Sequence, residues 1–380
     1  MPKAILAAVL AAALTFVPIP AAAEGDGPEL SCKSAILMEK ETGTILYDRD
    51  SHLPLAPASV TKVMTMLLVM EALDSGAISR EDTVTVSAHA AGMGGSQVYL
   101  KQGEQMTVEE LLKCVAVVSG NDCAVALAEH LAGSESAFVE QMNRRAVELG
   151  MQNTHFLNCT GLPAAGHITT AHDIALMSRE LILNHPDIRT YTTVWMDTIR
   201  EGTFGLTNTN RLIRFYSGAT GLKTGSTDEA LYCMSATAER DGMELIAVVM
   251  KSPTTAQRFA DAQSLLDYGF ARWSLMEIHT DAPIAPIPVE LGKKTTVQPV
   301  PDRPCTLLVE KQARSEVSTR LELCERVQAP VEKGQILGRL QVYVGEELRC
   351  TIPLIATEEI PRLTAGDIMA RLLRSLFMAK

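Results

Sequence analysis

The sequence predicts a mixed α/β protein of the α+β kind: a sandwich of an antiparallel sheet with a helical subdomain, then a small all-β domain and a terminal amphipathic helix. Three observations carry this. Strand-like runs stand at the start, Ser34 to Glu39 and Thr44 to Tyr47, and return only after Gly221, the sequence between is helical in texture, and a Pro-rich stretch (Pro283, Pro286, Pro288) precedes short alternating segments. At 380 residues, 47% hydrophobic and 21% charged, the chain can build a large core and more than one domain.

Met1 to Ala23 holds one basic residue, Lys3, an apolar run from Ala4 to Val17 and the small residues Ala21-Ala22-Ala23. It reads as a secretory signal peptide; the alternative is an uncleaved anchor, against which Pro18 and Pro20 count. Domain one is expected over 28–275. Ser34 to Glu39 and Thr44 to Tyr47 flank Glu41-Thr42-Gly43 as a hairpin. Pro57-Ala58 then leads into a helical run from Ser59 to Leu73. Thr107-Val108-Glu109-Glu110 is a capping box for a helix to about Val118, and Asn121 opens another that ends near Gly133, which leaves Ser119-Gly120 as the turn between them. A second box, Thr170-Ala171-His172-Asp173, opens a helix that His185-Pro186 closes. Tyr232 to Ala238 and Leu245 to Met250 are strands about the turn Arg240-Asp241-Gly242, and Gln257 to Phe270 is a helix packing back on them.

Domain two, 282–362, is expected to be β-rich, with strands such as Gln341 to Val344 and Arg349 to Ile352. In the tail, 364–380, Ile368, Met369, Leu372, Leu373, Leu376 and Phe377 share one helical face, with Asp367, Arg371, Arg374 and Ser375 opposite and Met378 outside the pattern. Such a helix lies on an anionic membrane surface or docks on the β domain; it is too short to span.

Without Lys3 the chain carries 33 basic residues against 45 acidic ones, a formal charge of about −12, which disfavours nucleic acid as a partner. The eight cysteines show no CxxC and no paired Cys/His cluster, so neither a metal site nor a disulfide pattern is assigned.

Three short motifs follow in order: Ser59-Val60-Thr61-Lys62, Ser119-Gly120-Asn121 and Lys223-Thr224-Gly225. Singly, they read as an N-cap, a turn and a strand end; together, each at an element boundary, they read as SxxK, SxN and KTG, the parts of a serine acyl transferase with a lysine base. A serine hydroxyl needs an adjacent base to attack an amide, and Lys62 lies one helical turn beyond Ser59 on the same face. A lysine is a base only when neutral, which burial and a nearby cation such as Lys223 favour. The N–H groups of Ser59 and Ser226 suit an oxyanion hole, and Gly225 leaves room for the acyl group. Ser119 can relay a proton to the leaving amine, and Asn121 can hold the substrate's peptide group. This chemistry calls for no cofactor.

On these motifs, with Gly94-Gly95-Ser96, Leu100-Lys101-Gln102-Gly103-Glu104, Asn158-Cys159-Thr160-Gly161-Leu162 and His167-Ile168-Thr169-Thr170-Ala171-His172-Asp173, the exported chain resembles the low-molecular-mass penicillin-binding proteins, the serine-type D-alanyl-D-alanine carboxypeptidases. The resemblance implies a transpeptidase or β-lactamase-like catalytic fold. It also implies a peptidoglycan stem peptide ending in D-Ala-D-Ala as substrate, β-lactams as acylating inhibitors, and a place at the outer face of the cytoplasmic membrane. Lys223, Thr224 and Arg258 would receive the terminal carboxylate, and Cys159 stands where the family often shows proline. Two alternatives stay open. A class A-like β-lactamase needs a glutamate for deacylation, and Glu180-Leu181-Ile182-Leu183-Asn184 fits its ExxLN pattern, though nearer the third motif than lactamases place it. The other is a noncatalytic penicillin-binding module of the wall. No GxSxG supports a Ser-His-Asp hydrolase.

Overall fold

The first strand, Ser34–Glu39, pairs with Ile45–Arg49 on one side and on the other with Met243–Ser252, so the start of the catalytic region is zipped to its end. This computed structural model describes residues 27–279, 283–304 and 306–378; the expected signal peptide lies outside the described residues. Leu231–Arg240 and Ala219–Thr227 complete a five-stranded sheet in the order Ile45–Arg49, Ser34–Glu39, Met243–Ser252, Leu231–Arg240, Ala219–Thr227, with every pair antiparallel.

The inner strands Ser34–Glu39 and Met243–Ser252 carry continuous apolar runs because both faces of the sheet are covered there. Side chains alternate between the faces. Ile36, Met38, Ile246, Val248 and Met250 join the core of the helical subdomain. Leu37 and Leu245 point the other way, onto helix Thr255–Arg272, where Gly269 lets the sheet approach: a Cβ there would lie 2.5 Å from Leu245 and 2.8 Å from Leu37. On the first face, the hydroxyls of Ser178, in helix Ala171–Asn184, and Ser235 share a 2.8 Å hydrogen bond.

Helix Lys62–Asp74 runs through the middle of this subdomain and is buried at every position from Lys62 to Met70. It shows no polar face because Val108–Val117, Asn121–Ala132 and Ala171–Asn184 surround it. Thr107 and Glu110 close the expected capping box reciprocally. At the second box only half forms. Asp173 N–H donates to Thr170 Oγ1 at 3.0 Å, but the Asp173 carboxylate accepts instead from Asn153 N at 3.0 Å and Thr154 Oγ1 at 2.7 Å. A tertiary pull outweighs the local one.

A second unit begins at Trp273, inside the range assigned to the first domain from sequence. Strand Trp273–Glu277 pairs with Thr306–Glu310, and its Met276 packs on a core of Ile278, Leu340, Val342, Ile352 and Leu354. Among the described residues the unit is all-β apart from a short 3₁₀ segment, Lys311–Glu316, and its terminal helix. A four-stranded sheet orders Pro299–Pro301, Glu347–Ala356, Ile336–Val344 and Val317–Leu323, and the Pro-rich stretch runs into strand Ile287–Glu290. Helix Ala365–Met378 ends the described chain; Ile368, Met369 and Leu373 on it are 41%, 59% and 47% exposed. The side chains of Arg371, Leu372, Arg374, Ser375, Leu376, Phe377 and Met378 lie outside those described. No helix among the described residues is long and apolar enough to cross a membrane.

Candidate active site

Pro57 leads into one 3₁₀ turn, Ala58–Thr61, from which the buried helix continues at Lys62. Ala58 adopts φ +48°, a left-handed conformation that costs a non-glycine residue energy and persists only where the surroundings enforce it. They do. Thr61 Oγ1 donates to Ala58 O at 2.9 Å and lies 2.9 Å from Nε2 of His167. Leu157 N–H donates to Nδ1 of that ring at 3.2 Å, which puts the ring's proton on Nε2 and directs it to Thr61. Burial pushes His167 down to about 4, so it serves here as a neutral brace. Gly161, at φ +80°, presses on the same turn: a Cβ would sit 1.8 Å from Ala58 O.

The turn delivers Lys62, fully buried, with Nζ 3.0 Å from Ser59 Oγ. Nζ also donates to Asn121 Oδ1 at 2.6 Å and to Thr160 O at 2.8 Å. Burial lowers Lys62 to about 7. Lys223, expected to contribute to that shift, is instead the group that feels the repulsion; burial and then the nearness of Lys62 and Arg258 hold it well below the ordinary lysine range.

Asn121 is committed within the protein, since Nδ2 donates to Gly94 O and its backbone N–H to Ser96 O, each at 2.7 Å. The amide thus holds Lys62, a contact that the sequence reading did not include. Ser119, in the turn before it, has φ +65° and a buried hydroxyl with no hydrogen-bond partner among the described residues. A buried, unpartnered hydroxyl on a strained residue is an outlier that packing does not account for.

On the opposite side stands strand Ala219–Thr227. Lys223 Nζ donates to Thr224 O at 3.0 Å and Thr224 Oγ1 to Thr209 Oγ1 at 2.8 Å. Gly225 has a sharper reason than the one inferred from sequence. A Cβ on it would lie 2.8 Å from Ser59 N, 2.9 Å from Val60 N and 3.0 Å from Pro57 O, so the strand meets the nucleophile turn only because the residue is glycine. Ser226 follows on the same strand, exposed. Arg258 comes from helix Thr255–Arg272 and is only 6% exposed, with Nη1 donating to Gly225 O at 3.3 Å and its guanidinium over the rings of Phe259 and Tyr232. It lies against the KTG strand, and burial lowers it to about 10.

A serine beside a buried lysine, a strained SxN turn and a KTG strand therefore converge from three distant parts of the chain. Comparison with known proteins agrees. The D-alanyl-D-alanine carboxypeptidase family model matches residues 21–254, and the penicillin-binding protein 5 C-terminal domain model matches 278–362. The chain belongs to the D-alanyl-D-alanine carboxypeptidase family. It is 43% identical over 359 residues to the carboxypeptidase DacF of Bacillus subtilis, covering 92% of each chain. Penicillin-binding protein 5 from Haemophilus influenzae is similar in structure, with a TM-score of 0.77 at 30% identity over 88% of this chain and 99% of that one. Penicillin-binding protein D2 from Listeria monocytogenes, solved in an ampicillin-bound form, is 33% identical with a TM-score of 0.59, covering 64% of this chain and 100% of that one.

The lactamase-like glutamate lies elsewhere in this carboxypeptidase fold. Glu180 accepts from Arg145 Nη2 at 2.6 Å, and Arg145 Nε donates to Glu71 at 2.7 Å. Glu71 is nine residues past Lys62 on one helix, about 13 Å along its axis, so Glu180 has no access to an ester on Ser59.

Sequence reasoning missed the carbonyls of Thr160 and Gly94, the Asp122 carboxylate and His167. Asp122 accepts from the N–H groups of Val98, Leu100 and Cys123 at 3.0, 3.1 and 2.9 Å and so shapes the loop that holds Asn121. Carbonyls have no sequence signature; Asn158-Cys159-Thr160-Gly161 and His167 were visible only as stretches carrying the resemblance.

Proposed function

We propose that this protein is a serine-type D-Ala-D-Ala carboxypeptidase that removes the terminal D-alanine of peptidoglycan stem pentapeptides through an acyl-enzyme on Ser59, and that penicillins acylate the same serine. The observation that carries the reading is Lys62: buried, lowered to about 7, and 3.0 Å from Ser59 Oγ.

Neutral Lys62 takes the Ser59 proton as Oγ attacks the carbonyl between the two D-alanines. The N–H groups of Ser59 and Ser226 receive the oxyanion, and the free amide donors at a helix start favour that charge. Ser119 passes a proton to the departing amine, and water then hydrolyses the ester. Lys223, Thr224 and Arg258 bind the substrate's terminal carboxylate. Lys223 and Arg258 are both buried and both lowered, with no ion pair to a carboxylate among the described residues, and the substrate's carboxylate would favour their charged forms. The exported chain acts in the periplasm or wall space, with its tail, 364–380, resting on the membrane surface. The β-lactamase reading is weaker, because the glutamate it needs is bound to Arg145.

The test is to incubate the purified exported form with a D-Ala-D-Ala peptide and, separately, with a labelled penicillin. Released D-alanine and a slowly lost label on Ser59 are expected. Rapid penicillin turnover without D-alanine would make it a lactamase, and no label at all would leave a binding module.

A further inference from the structure

Helix Glu135–Glu148 starts beside the loop that gives Lys62 its backbone acceptor. Glu135, in the first turn, where the helix dipole favours negative charge, sets Oε1 3.1 Å from the backbone nitrogen of Cys159 and 3.2 Å from its Sγ. Its Oε2 lies 3.5 Å from Nε2 of His89, whose Nδ1 is 3.1 Å from Oε1 of Glu129. Both ends of this chain of contacts lead to the reaction centre. Cys159 is joined to Thr160, whose carbonyl accepts from Lys62. His89 lies in the turn Ala88–Ala91, shortly before Gly94 and Ser96, the carbonyls that hold Asn121.

We propose that Glu135 is a positioning residue for the general base, holding the Cys159–Thr160 peptide so that the Thr160 carbonyl aims the Lys62 lone pair at Ser59. The inference rests on the roles given above to Ser59 and Lys62.

A neutral amine has two hydrogens and one lone pair. Asn121 Oδ1, at 2.6 Å, and Thr160 O, at 2.8 Å, take the two hydrogens, and the lone pair is left facing Ser59 Oγ at 3.0 Å. If the Thr160 carbonyl drifts, a hydrogen turns toward Ser59 and the lone pair away from it. Asn158 shapes the turn from within, accepting from Thr160 N at 3.2 Å and Gly161 N at 2.7 Å, but this ties the loop only to itself. Cys159 ties it to the body, its carbonyl accepting from Thr65 Oγ1 at 2.7 Å and its N–H donating to Glu135. Of the two ties the second is charge-assisted, the stronger kind, and it requires an N–H that a proline at 159 would lack. Burial and the carboxylate also push the Cys159 thiol well up, so it remains an S–H donor to Glu135.

The experiment separates the pre-acylation dissociation constant from the acylation rate constant by stopped flow with a fluorescent penicillin, alongside thermal melts. Glu135→Ala is expected to lower the acylation rate constant about tenfold, the effect of one charge-assisted bond, with the dissociation constant unchanged within about twofold. Glu135→Gln keeps an acceptor oxygen for the Cys159 N–H and should recover to within about threefold of the parent; His89→Ala, at a half-exposed residue, should fall between. Should Glu135→Ala not melt cooperatively, Glu135→Asp, one methylene short of reach, replaces it with the same expected loss. Parental acylation in the Ala or Asp variant, a Gln variant as slow as Ala, or a loss confined to the dissociation constant would overturn the proposal. If the unsubstituted chain is not acylated at all, the reading of Ser59 and Lys62 fails and takes this inference with it.

Discussion

A lysine without water around it is a different acid from one at the surface, and Lys62 shows how little sequence is needed to make that change. Its shift to about 7 comes first from burial, so at neutral pH a large share is the free amine. The acylation rate constant for penicillin should therefore climb as pH rises through about 7 and level off above it, as Lys62 loses its proton; a profile flat from pH 6 to 8 would count against Lys62 as base. Lys62→Ala should slow acylation by roughly 10²- to 10⁴-fold, the span of general-base catalysis. Gly225→Ala tests sterics. Its Cβ, 2.8 Å from Ser59 N, must push strand and nucleophile turn apart, at a cost of about 1–3 kcal/mol in a urea melt together with a loss of penicillin labelling. Ser59, Lys62, Ser119, Asn121 and Lys223 were legible because each is a side chain in a motif of fixed spacing. The Thr160 carbonyl that completes the Lys62 environment was not, since any residue supplies a carbonyl.

At the scale of elements, a nucleophile turn with a strained Ala58 stays in place because the 157–168 segment braces it through Gly161 and His167. The neutral ring of His167 makes that brace sensitive to acid. Folded, it titrates near 4 and in the unfolded chain near 6.5, so between those values the unfolded state binds more protons. The brace contributes fully above about 6.5 and loses roughly 3 kcal/mol as pH falls toward 4. Urea midpoints should drop between pH 7.5 and 5, and His167→Gln should flatten that part of the dependence; an equal drop in the variant would sink the assignment. Helix Val108–Val117 was readable to its first residue from the Thr107 and Glu110 box, and Thr107→Ala should cost about 1 kcal/mol in the same melt. The box at Thr170 was read half correctly, because Asp173 has better partners in Asn153 and Thr154, which no local pattern contains.

At the scale of the molecule, two units share one chain, and they divide at Trp273 rather than in the Pro-rich stretch. Strand Trp273–Glu277 reads like the end of the catalytic domain, but its hydrogen-bonding partner, Thr306–Glu310, lies beyond that stretch. The acidic balance of 45 carboxylate residues against 34 basic ones sets apart the tail 364–380, whose sequence carries Arg371, Arg374 and Lys380. For the proposed surface anchor, deletion of Thr364 to Lys380 should move the protein from the membrane pellet to the supernatant of anionic vesicles, with penicillin labelling unchanged. Unaltered partitioning would leave the helix a docked terminus.

By itself the sequence determined the reaction class, the helical segment in which Ser59 stands three residues before Lys62, and the strand–helix–strand order of the sandwich. These follow from spacing and periodicity, which act within a few residues. Only the tertiary structure decided that Lys62 is dry and Asn121 is turned inward to it, that Gly225 must be glycine for the nearness of Ser59, that Arg258 reaches the KTG strand, and that Glu180 is spent on Arg145. Each depends on groups brought together from far along the chain, and burial, steric approach and charge pairing have no local signature.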